Sequence, residues 1–523
     1  MSPTIRTPGG AEDGATRRTA SPPNHRLRPA LIVGAGSGGQ LIAAELRNNH
    51  QWGLWPAGFV DDDPRLLGTD VLGLPVLGDI ATIPAMVERE GIGVVVLAMP
   101  SVAAVRLEEI AALATHTAAD VMTMPAIGSI LSGAQRAQTL RHIRLTDVLG
   151  RPRVELSSIV GEAFLRGKRV MVTGAAGSIG GELATQVAAL GPSALVLVDT
   201  NESGVFDLHL ELQARYPLLT LLPVIASVAD RQAIEQAMDR SQPDVVFHAA
   251  AYKHVPLMEQ YPGEAIRTNV LGSINIARVA AGAGVERFVM VSTDKAVRPT
   301  SVMGASKRLA EVAVADVGRS TGMSTCSVRF GNVLGSRGSV IPTFERQIRM
   351  GGPVTVTDRH MRRYFMTVEE AASLIIHAGA GGDRDAIYLL DMGDDVSILK
   401  LAERVIELHG LRPYIDIPIV FTGVRPGEKL REELSNDFER ACRSQHPKIR
   451  RLATRTGGVP PDQLAERIAR LEALARLGDA SRVRTELMDL VGLADRSEQA
   501  YEAGASRGDW QRGTAFQAGH LQG

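Results

Sequence analysis

A carboxyl and an amine stand side by side at Asp294 and Lys295, just after an apolar run. Residues 287–291 read Arg-Phe-Val-Met-Val, a buried strand by composition, and Ser292 and Thr293 close it. An acid and a base fixed at a strand's carboxyl end are what general acid–base chemistry requires. Lys307 lies four residues after Met303, so the two share one helical face. Met303 cannot take a proton, which leaves Thr293, Asp294, Lys295 and Lys307 as the reactive groups of a catalytic set that also includes position 303. Asp294 must carry a proton when it acts as an acid, and Lys295 must lack one when it acts as a base. Both conditions demand burial or neighbouring charge. The plain alternative is an exposed, inert ion pair at a strand end.

A cofactor site has to position this set, and its pattern lies upstream. Arg169–Thr173 is a short β-type run, followed by Gly174-Ala-Ala-Gly177-Ser178-Ile179-Gly180 and a helix-like segment. The glycines let the backbone turn tightly and approach a pyrophosphate at the helix N-terminus. The next strand, 194–198, ends in Asp199, which suits a ribose diol and repels a 2′-phosphate, so NAD is expected rather than NADP. Ala249, Ala250 and Ala251 allow close backbone approach to the dinucleotide. Lys253 and His254 follow at the same end of the sheet, facing cofactor or sugar. A lone His such as His254 is more often structural.

The bulk numbers exclude several classes. The 523 residues are enough for two or three domains. With 57 Lys plus Arg against 58 Asp plus Glu, no nucleic-acid footprint is expected. Two cysteines, Cys326 and Cys442, fit a reducing cytoplasm, and no metal-ligand cluster stands out. Neither a signal peptide nor an apolar run long enough to span a membrane is seen, so a cytoplasmic chain without membrane insertion is expected.

The fold class expected is α/β, with two Rossmann-like, doubly wound parallel-sheet domains. Residues 1–28 have a disordered composition. Residues 29–128 read as a small domain with its own glycine turn, Gly34-Ala-Gly36-Ser-Gly-Gly39, which either binds a nucleotide or has kept the turn and lost the ligand. Residues 129–167 form a connector. Residues 168–440 form the main domain, with strands at 169–173, 194–198, 221–226, 244–248, 287–292 and 325–330. Turn-rich segments late in that domain are expected to build a C-terminal substrate lobe. Residues 441–497 read as a helical C-terminal segment, with one or two amphipathic helices over 462–491, and 498–523 as a mobile tail.

Six ordered motifs resemble one family: Gly174–Gly180, Ala249-Ala-Ala-Tyr-Lys-His-Val-Pro256, Ser292-Thr-Asp-Lys-Ala296, Met303-Gly-Ala-Ser-Lys307, Arg329-Phe-Gly-Asn-Val-Leu-Gly335 and Arg425-Pro-Gly-Glu-Lys429. They are similar to bacterial nucleotide-sugar 4,6-dehydratases of the capsular polysaccharide biosynthesis type. These are extended short-chain dehydrogenase/reductases, most of which carry Tyr where this chain has Met303. Large members resemble this chain in carrying Met there, and act on UDP-N-acetylglucosamine. The resemblance implies transient oxidation at C4 by tightly bound NAD, elimination of water across C5–C6 and hydride return to C6. It casts Asp294 as acid and Lys295 as base, places Lys307 on the nicotinamide ribose and Thr293 on the C4 hydroxyl. Asp294, a water held by Thr293 and Lys307 all remain candidates to deprotonate that hydroxyl. His254, Asn269, Asn332, Arg337, Arg425 and Glu428 are the implied substrate contacts, with Arg suited to the diphosphate. Arg362 and Arg363 read equally as contacts or as a solvated pair. Two departures stand out. Large members have membrane-spanning N-terminal helices, and the adenine-contacting Gly-Asp of the family is here Ala226-Ser227, which implies weaker NAD affinity. A homo-oligomer is expected. A nucleotide-sugar 4-epimerase and a catalytically inactive nucleotide-sugar sensor are the competing readings.

Overall fold

The computed structural model describes residues 27–99, 102, 104–115, 117–123, 141–142, 158–453 and 459–508. The chain divides into two compact units, Met1–Gly150 and Arg151–Gly523. The disordered segment expected at 1–28 lies outside the described residues up to 26, and a strand already begins at Arg28.

In the first unit, strands β1 (Arg28–Val33), β2 (Leu54–Val60), β3 (Asp70–Val71), β4 (Leu74–Gly78), β5 (Val94–Leu97), β6 (Asp120–Thr123) and β7 (Arg141–His142) form one sheet in the order β3-β4-β2-β1-β5-β6-β7. The five strands from β4 to β6 in that order are parallel. Their apolar runs supply both faces. Ala30, Ile32, Val94 and Val96 meet Ile42, Ala43 and Leu46 of helix Ser37–Asn48. Leu31, Val33, Val95 and Leu97 meet helices Ile83–Glu90 and Ala104–Thr115 on the other side. Strands apolar on both faces are what a helix-covered parallel sheet requires.

The second unit repeats this logic on a larger scale. Its strands are β8 (Arg169–Thr173), β9 (Ala194–Asp199), β10 (Thr220–Ile225), β11 (Val245–His248), β12 (Arg287–Val291) and β13 (Ser324–Arg329). Five shorter strands, β14 (Asn332–Val333), β15 (Val354–Val356), β16 (Arg362–Met366), β18 (Asp395–Ser397) and β19 (Ile419–Phe421), build small sheets around β17 (Ala386–Leu390) in the sequence. The main sheet runs β10-β9-β8-β11-β12-β13-β17, all parallel, and ends in β21 (Ile449–Ala453), antiparallel to β17, and β20 (Arg440–Arg443), antiparallel to β21. Strand order reverses between β8 and β11, and ligands of such sheets bind at that switch, outside the carboxyl ends.

Side chains alternate between two cores. Val170, Val172, Leu195, Leu197 and Phe247 pack on helices Ser178–Ala189 and Val368–Ala380. Met171, Val196, Val246, Phe288 and Met290 pack on Arg231–Ser241, Gly272–Gly282 and Val302–Thr321. The last of these helices starts at Ser301, whose Oγ accepts from Gly304 N at 3.1 Å, and stops at Gly322 with φ +79°.

Three sequence expectations need correction. Arg141–His142, assigned to the connector, instead form β7 of the first sheet. Residues 441–453, assigned to a helical segment, instead extend the main sheet. β21 pairs along β17, burying Leu452 and Ile449 against it, a long-range pairing that local sequence does not signal. The helix Ala480–Gly508 also runs on into the stretch read as a mobile tail, of which 509–523 lie outside the described residues. Helices Pro461–Leu477 and Ala480–Gly508 form a hairpin that packs Leu464, Leu471, Leu487 and Leu490 against helix Val302–Thr321.

Candidate active site

The glycine turn is built by close approach. Gly174 has φ +69°, and a Cβ there would stand 2.7 Å from Ala250 N. A Cβ on Gly180 would stand 2.0 Å from Gly174 O, so helix Ser178–Ala189 can sit against the turn only without one. Gly177 caps that helix with no side-chain hydrogen bond, leaving its first N–H groups for an anion, flanked by Ser178 and Ile179. Asp199 Oδ2 accepts from Ala176 N at 2.9 Å and Oδ1 from Asn201 N at 2.9 Å, which aims the carboxylate at the turn. These features fit a dinucleotide. Ser227 Oγ accepts from Ala229 N at 3.2 Å.

A buried polar chain braces the turn against helix Val302–Thr321. Ser273 Oγ donates to Asn269 O at 2.6 Å, so His248 Nε2 must donate to Ser273 Oγ, leaving Nδ1 to accept from Thr173 Oγ1; both His248 contacts are 2.8 Å. The imidazole stays neutral: burial, followed by the charge of Lys307, drives its pKa down to about 3. Asn269 sits in a π-helical turn, Ile266–Leu271. Its Oδ1 accepts from Tyr252 N at 2.8 Å, while Nδ2 donates to Tyr252 O at 3.0 Å and Ser306 Oγ at 2.9 Å. Expected as a substrate contact, Asn269 is instead a fully buried clamp that spends both amide donors on protein.

The side chains of Asp294 and Lys295 meet each other. Asp294 N donates to Phe330 O at 2.9 Å, so residue 294 still rides on the neighbouring strand's end. Lys295 Nζ donates to Asp294 Oδ1 and Asn332 Oδ1, both at 3.0 Å, and Thr293 Oγ1 donates to Asp294 Oδ1 at 2.9 Å. Asp294 is 0% exposed, and its Oδ2 has no hydrogen-bond partner among the described residues. A Cβ on Gly331 would stand 3.2 Å from that oxygen.

Lys307 is buried, and desolvation lowers its pKa to about 8 against the partial support of Glu311. Glu311 is itself held from several sides. Arg329 donates to its two oxygens at 2.7 and 2.6 Å, and Ser292 Oγ donates at 2.6 Å. Arg329 also grips Glu439 at 2.8 and 2.9 Å, and Arg308 links Glu311 to Asp495 of the C-terminal hairpin. Met303, placed in the catalytic set by its position, is a core residue packed among Val270, Leu309 and Leu487.

A cavity of about 170 Å³ opens beside the pair, lined by Lys295, Asn332, Ser301, Arg363, Glu428 and Glu432 among others. Lys295 lines it, whereas Asp294 stands behind. Lys253 Nζ reaches Ser336 Oγ at 3.5 Å, its proton affinity lowered by burial and by Lys295. His254 packs beneath the turn at Gly338, where a Cβ would stand 2.8 Å from its ring. Arg337, expected on the sugar diphosphate, lies on the glycine turn: its Nη1 donates to Ala176 O and its N to Ser178 Oγ, both at 3.2 Å. Arg425 is exposed on the loop that carries Glu428 and donates N–H to Glu428 Oε2 at 3.4 Å. Arg363 is committed to the carbonyls of Arg362, Lys429 and Leu430, and Arg362 pairs with Asp395. Sequence reasoning missed His248, Glu311, Glu432 and Glu439. Glu432 sits beside Glu433, and two adjacent acids read as a solvated surface.

Residues 170–454 match the polysaccharide biosynthesis protein family, and residues 14–125 match the CoA-binding domain family. The probable polysaccharide biosynthesis protein EpsC of Bacillus subtilis (strain 168) is 42% identical over 421 residues, 80% of this chain and 70% of its own length. The capsular polysaccharide biosynthesis protein CapD of Staphylococcus aureus is 41% identical over 427 residues, 81% of this chain and 71% of its own. A UDP-glucose 4-epimerase of Rickettsia canadensis (strain McKiel) is 35% identical over 283 residues, 52% of this chain and 80% of its own. Among solved structures, Pen from Bacillus thuringiensis is similar with a TM-score of 0.51 and 33% identity, over 55% of this chain and 89% of that one. With its glycine turn, switch-point crevice and matched length, the chain belongs to the polysaccharide biosynthesis protein family.

Proposed function

We propose that the protein is a UDP-N-acetylglucosamine 4,6-dehydratase, making a UDP-4-keto-6-deoxy sugar for surface polysaccharide. The observation that carries this reading is the Lys295–Asp294 hydrogen bond at 3.0 Å, next to the cavity. Moving the proton across it converts an ion pair into a neutral base and a neutral acid. Neutral Lys295, which lines the cavity, then takes the C5 proton of a 4-keto sugar. Asp294 sits behind, and its proton leaves through Thr293, whose Oγ1 lies 2.9 Å from Asp294 Oδ1: Asp294 donates to Thr293 Oγ1 while that hydroxyl donates to the departing C6 oxygen. The bonds broken are C5–H and C6–O, water leaves, and the pair returns to its ion-pair form with no net proton exchange.

The chemistry a bound NAD supplies is reversible hydride storage, and Gly174, Gly177, Gly180, Asp199 and Lys307 are the residues that would hold it. The Lys307 ammonium favours a negatively charged oxygen at C4. Asn332 holds Lys295, and the basic groups Lys253, Arg337 and Arg425 suit a diphosphate.

A 4-epimerase is the second reading, favoured by the relative named UDP-glucose 4-epimerase. Epimerisation exchanges hydride at C4 alone and needs no base at C5 and no acid at C6, the two tasks the Asp294–Lys295 pair would fill. Incubation with UDP-N-acetylglucosamine without added reductant, followed by NMR, separates the two. A 4-keto-6-deoxy product is expected, and inversion at C4 with C6 unchanged overturns the dehydratase.

A further inference from the structure

Glu432 is the one carboxyl of the cavity that no motif explains. It is 5% exposed, lies on the loop after Arg425-Pro-Gly-Glu-Lys429, and lines the cavity with Lys295 and Asn332. Its ion pair with Arg363 is long, 3.7 Å, because that guanidinium is spent on the carbonyls of Arg362, Lys429 and Leu430 at 2.7–3.1 Å. Lys429 Nζ is engaged elsewhere as well, donating to Val297 O at 3.0 Å. A buried carboxyl held this loosely can change charge without dismantling a bonded network.

The groups facing it are Lys295 and Asp294 from the turn after β12, Arg363 from β16, and Lys429 and Glu428 from its own loop. Lys295 lines the cavity together with Glu432, whereas Asp294 stands behind it. A Glu432 carboxylate therefore stabilises the ammonium of Lys295 by more than it repels the Asp294 carboxylate, and holds the pair in its unreactive ion-pair form. With Glu432 protonated, that hold is gone.

We propose that Glu432 is a positioning residue for the proton of the Lys295–Asp294 pair: as a carboxylic acid it lets the proton pass to Asp294, and as a carboxylate it keeps it on Lys295 and switches elimination off. The inference rests on the dehydratase reading. Burial pushes the Glu432 proton affinity up, with Lys295 opposing it, so the acid form persists above the ordinary carboxylate range.

The test is the pH dependence of kcat with UDP-N-acetylglucosamine for wild type, Glu432→Gln and Glu432→Asp, each checked for bound NAD and for melting temperature. Wild-type kcat should fall about tenfold per pH unit above the Glu432 pKa. Glu432→Gln cannot ionise, so its rate should stay level until Lys307 titrates near 8 and should exceed wild type in between. Glu432→Asp should keep the fall. Parallel wild-type and Gln profiles overturn the proposal, as does a folded Gln variant inactive at every pH. Should Glu432→Gln fail to fold, a level profile for Glu432→Asp overturns it. Absence of 4-keto-6-deoxy product from wild type at any pH instead defeats the dehydratase reading.

Discussion

The two glycine turns share one plan and differ in what stands opposite them. In both units a buried strand enters a left-handed glycine, Gly34 with φ +97° and Gly174 with φ +69°. In both, a later glycine of the turn nests on that residue's carbonyl, where a Cβ would stand 1.8 Å away at Gly39 and 2.0 Å at Gly180. Both aim the aspartate after the second strand back at the turn: Asp61 Oδ2 accepts from Ala35 N at 2.7 Å, as Asp199 Oδ2 does from Ala176 N at 2.9 Å. The difference lies across the crevice. Gly174 faces the small Ala249 and Ala250, whereas a Cβ on Gly34 would stand 2.6 Å from Met99 Cγ. Only the second unit follows its turn with buried titratable groups, among the described residues: His248, Asp294, Lys307 and Glu311. The glycine turn is thus a packing device first, and the residues facing it decide what chemistry it serves.

The largest test of that contrast removes the chemistry and keeps the turn. Lys295→Ala should cut formation of the 4-keto sugar by about 10²–10⁴-fold, with NAD still bound. Product kinetics and released NAD measure both, and wild-type turnover would break the assignment. Next, Ala250→Met gives the second unit the side chain that the first carries at Met99. Overpacking of this kind costs about 1–3 kcal/mol, which should appear as weaker NAD retention by calorimetry in a folded protein. Unchanged retention would show that the facing residue does not decide.

A smaller effect concerns Lys307. On the dehydratase reading its ammonium is the form that attracts the cofactor and a C4 oxyanion, and the proton is lost as pH rises through about 8. NAD affinity should therefore hold below pH 8 and fall several-fold above it, and Lys307→Met should remove the pH dependence. The smallest change is expected for Met99→Ala. Met99 is only half-buried, so opening the space over Gly34 should cost about 1 kcal/mol or less in thermal unfolding.

Much of this was legible in sequence because it is local. The turn from Gly174 to Gly180, Asp199 at the end of the next strand, the adjacency of Asp294 and Lys295, and the alternation of strands and helices all lie within short windows where spacing fixes geometry. The first six strands of the main sheet were located to within about a residue at each end by their apolar runs. The small first domain, too, announced itself by its own strand–glycine–helix unit.

What tertiary structure alone decided are the partners that the chain brings from far away. Asn332 meets Lys295 across 37 residues, Arg329 meets Glu439 across 110, and Arg337 reaches Ala176 across 161. No periodicity encodes such pairings, since each depends on where separate strands end in space. The same holds for Met303 and Asn269. Motif position marked both for chemistry, but burial against the C-terminal hairpin makes one a core residue, and hydrogen bonds to Tyr252 and Ser306 make the other a clamp. Sequence by itself determined which reactive groups this protein owns; the fold decided which of them are desolvated and which side chains surround them, because charge and proton affinity depend on three-dimensional surroundings rather than on neighbours in the chain.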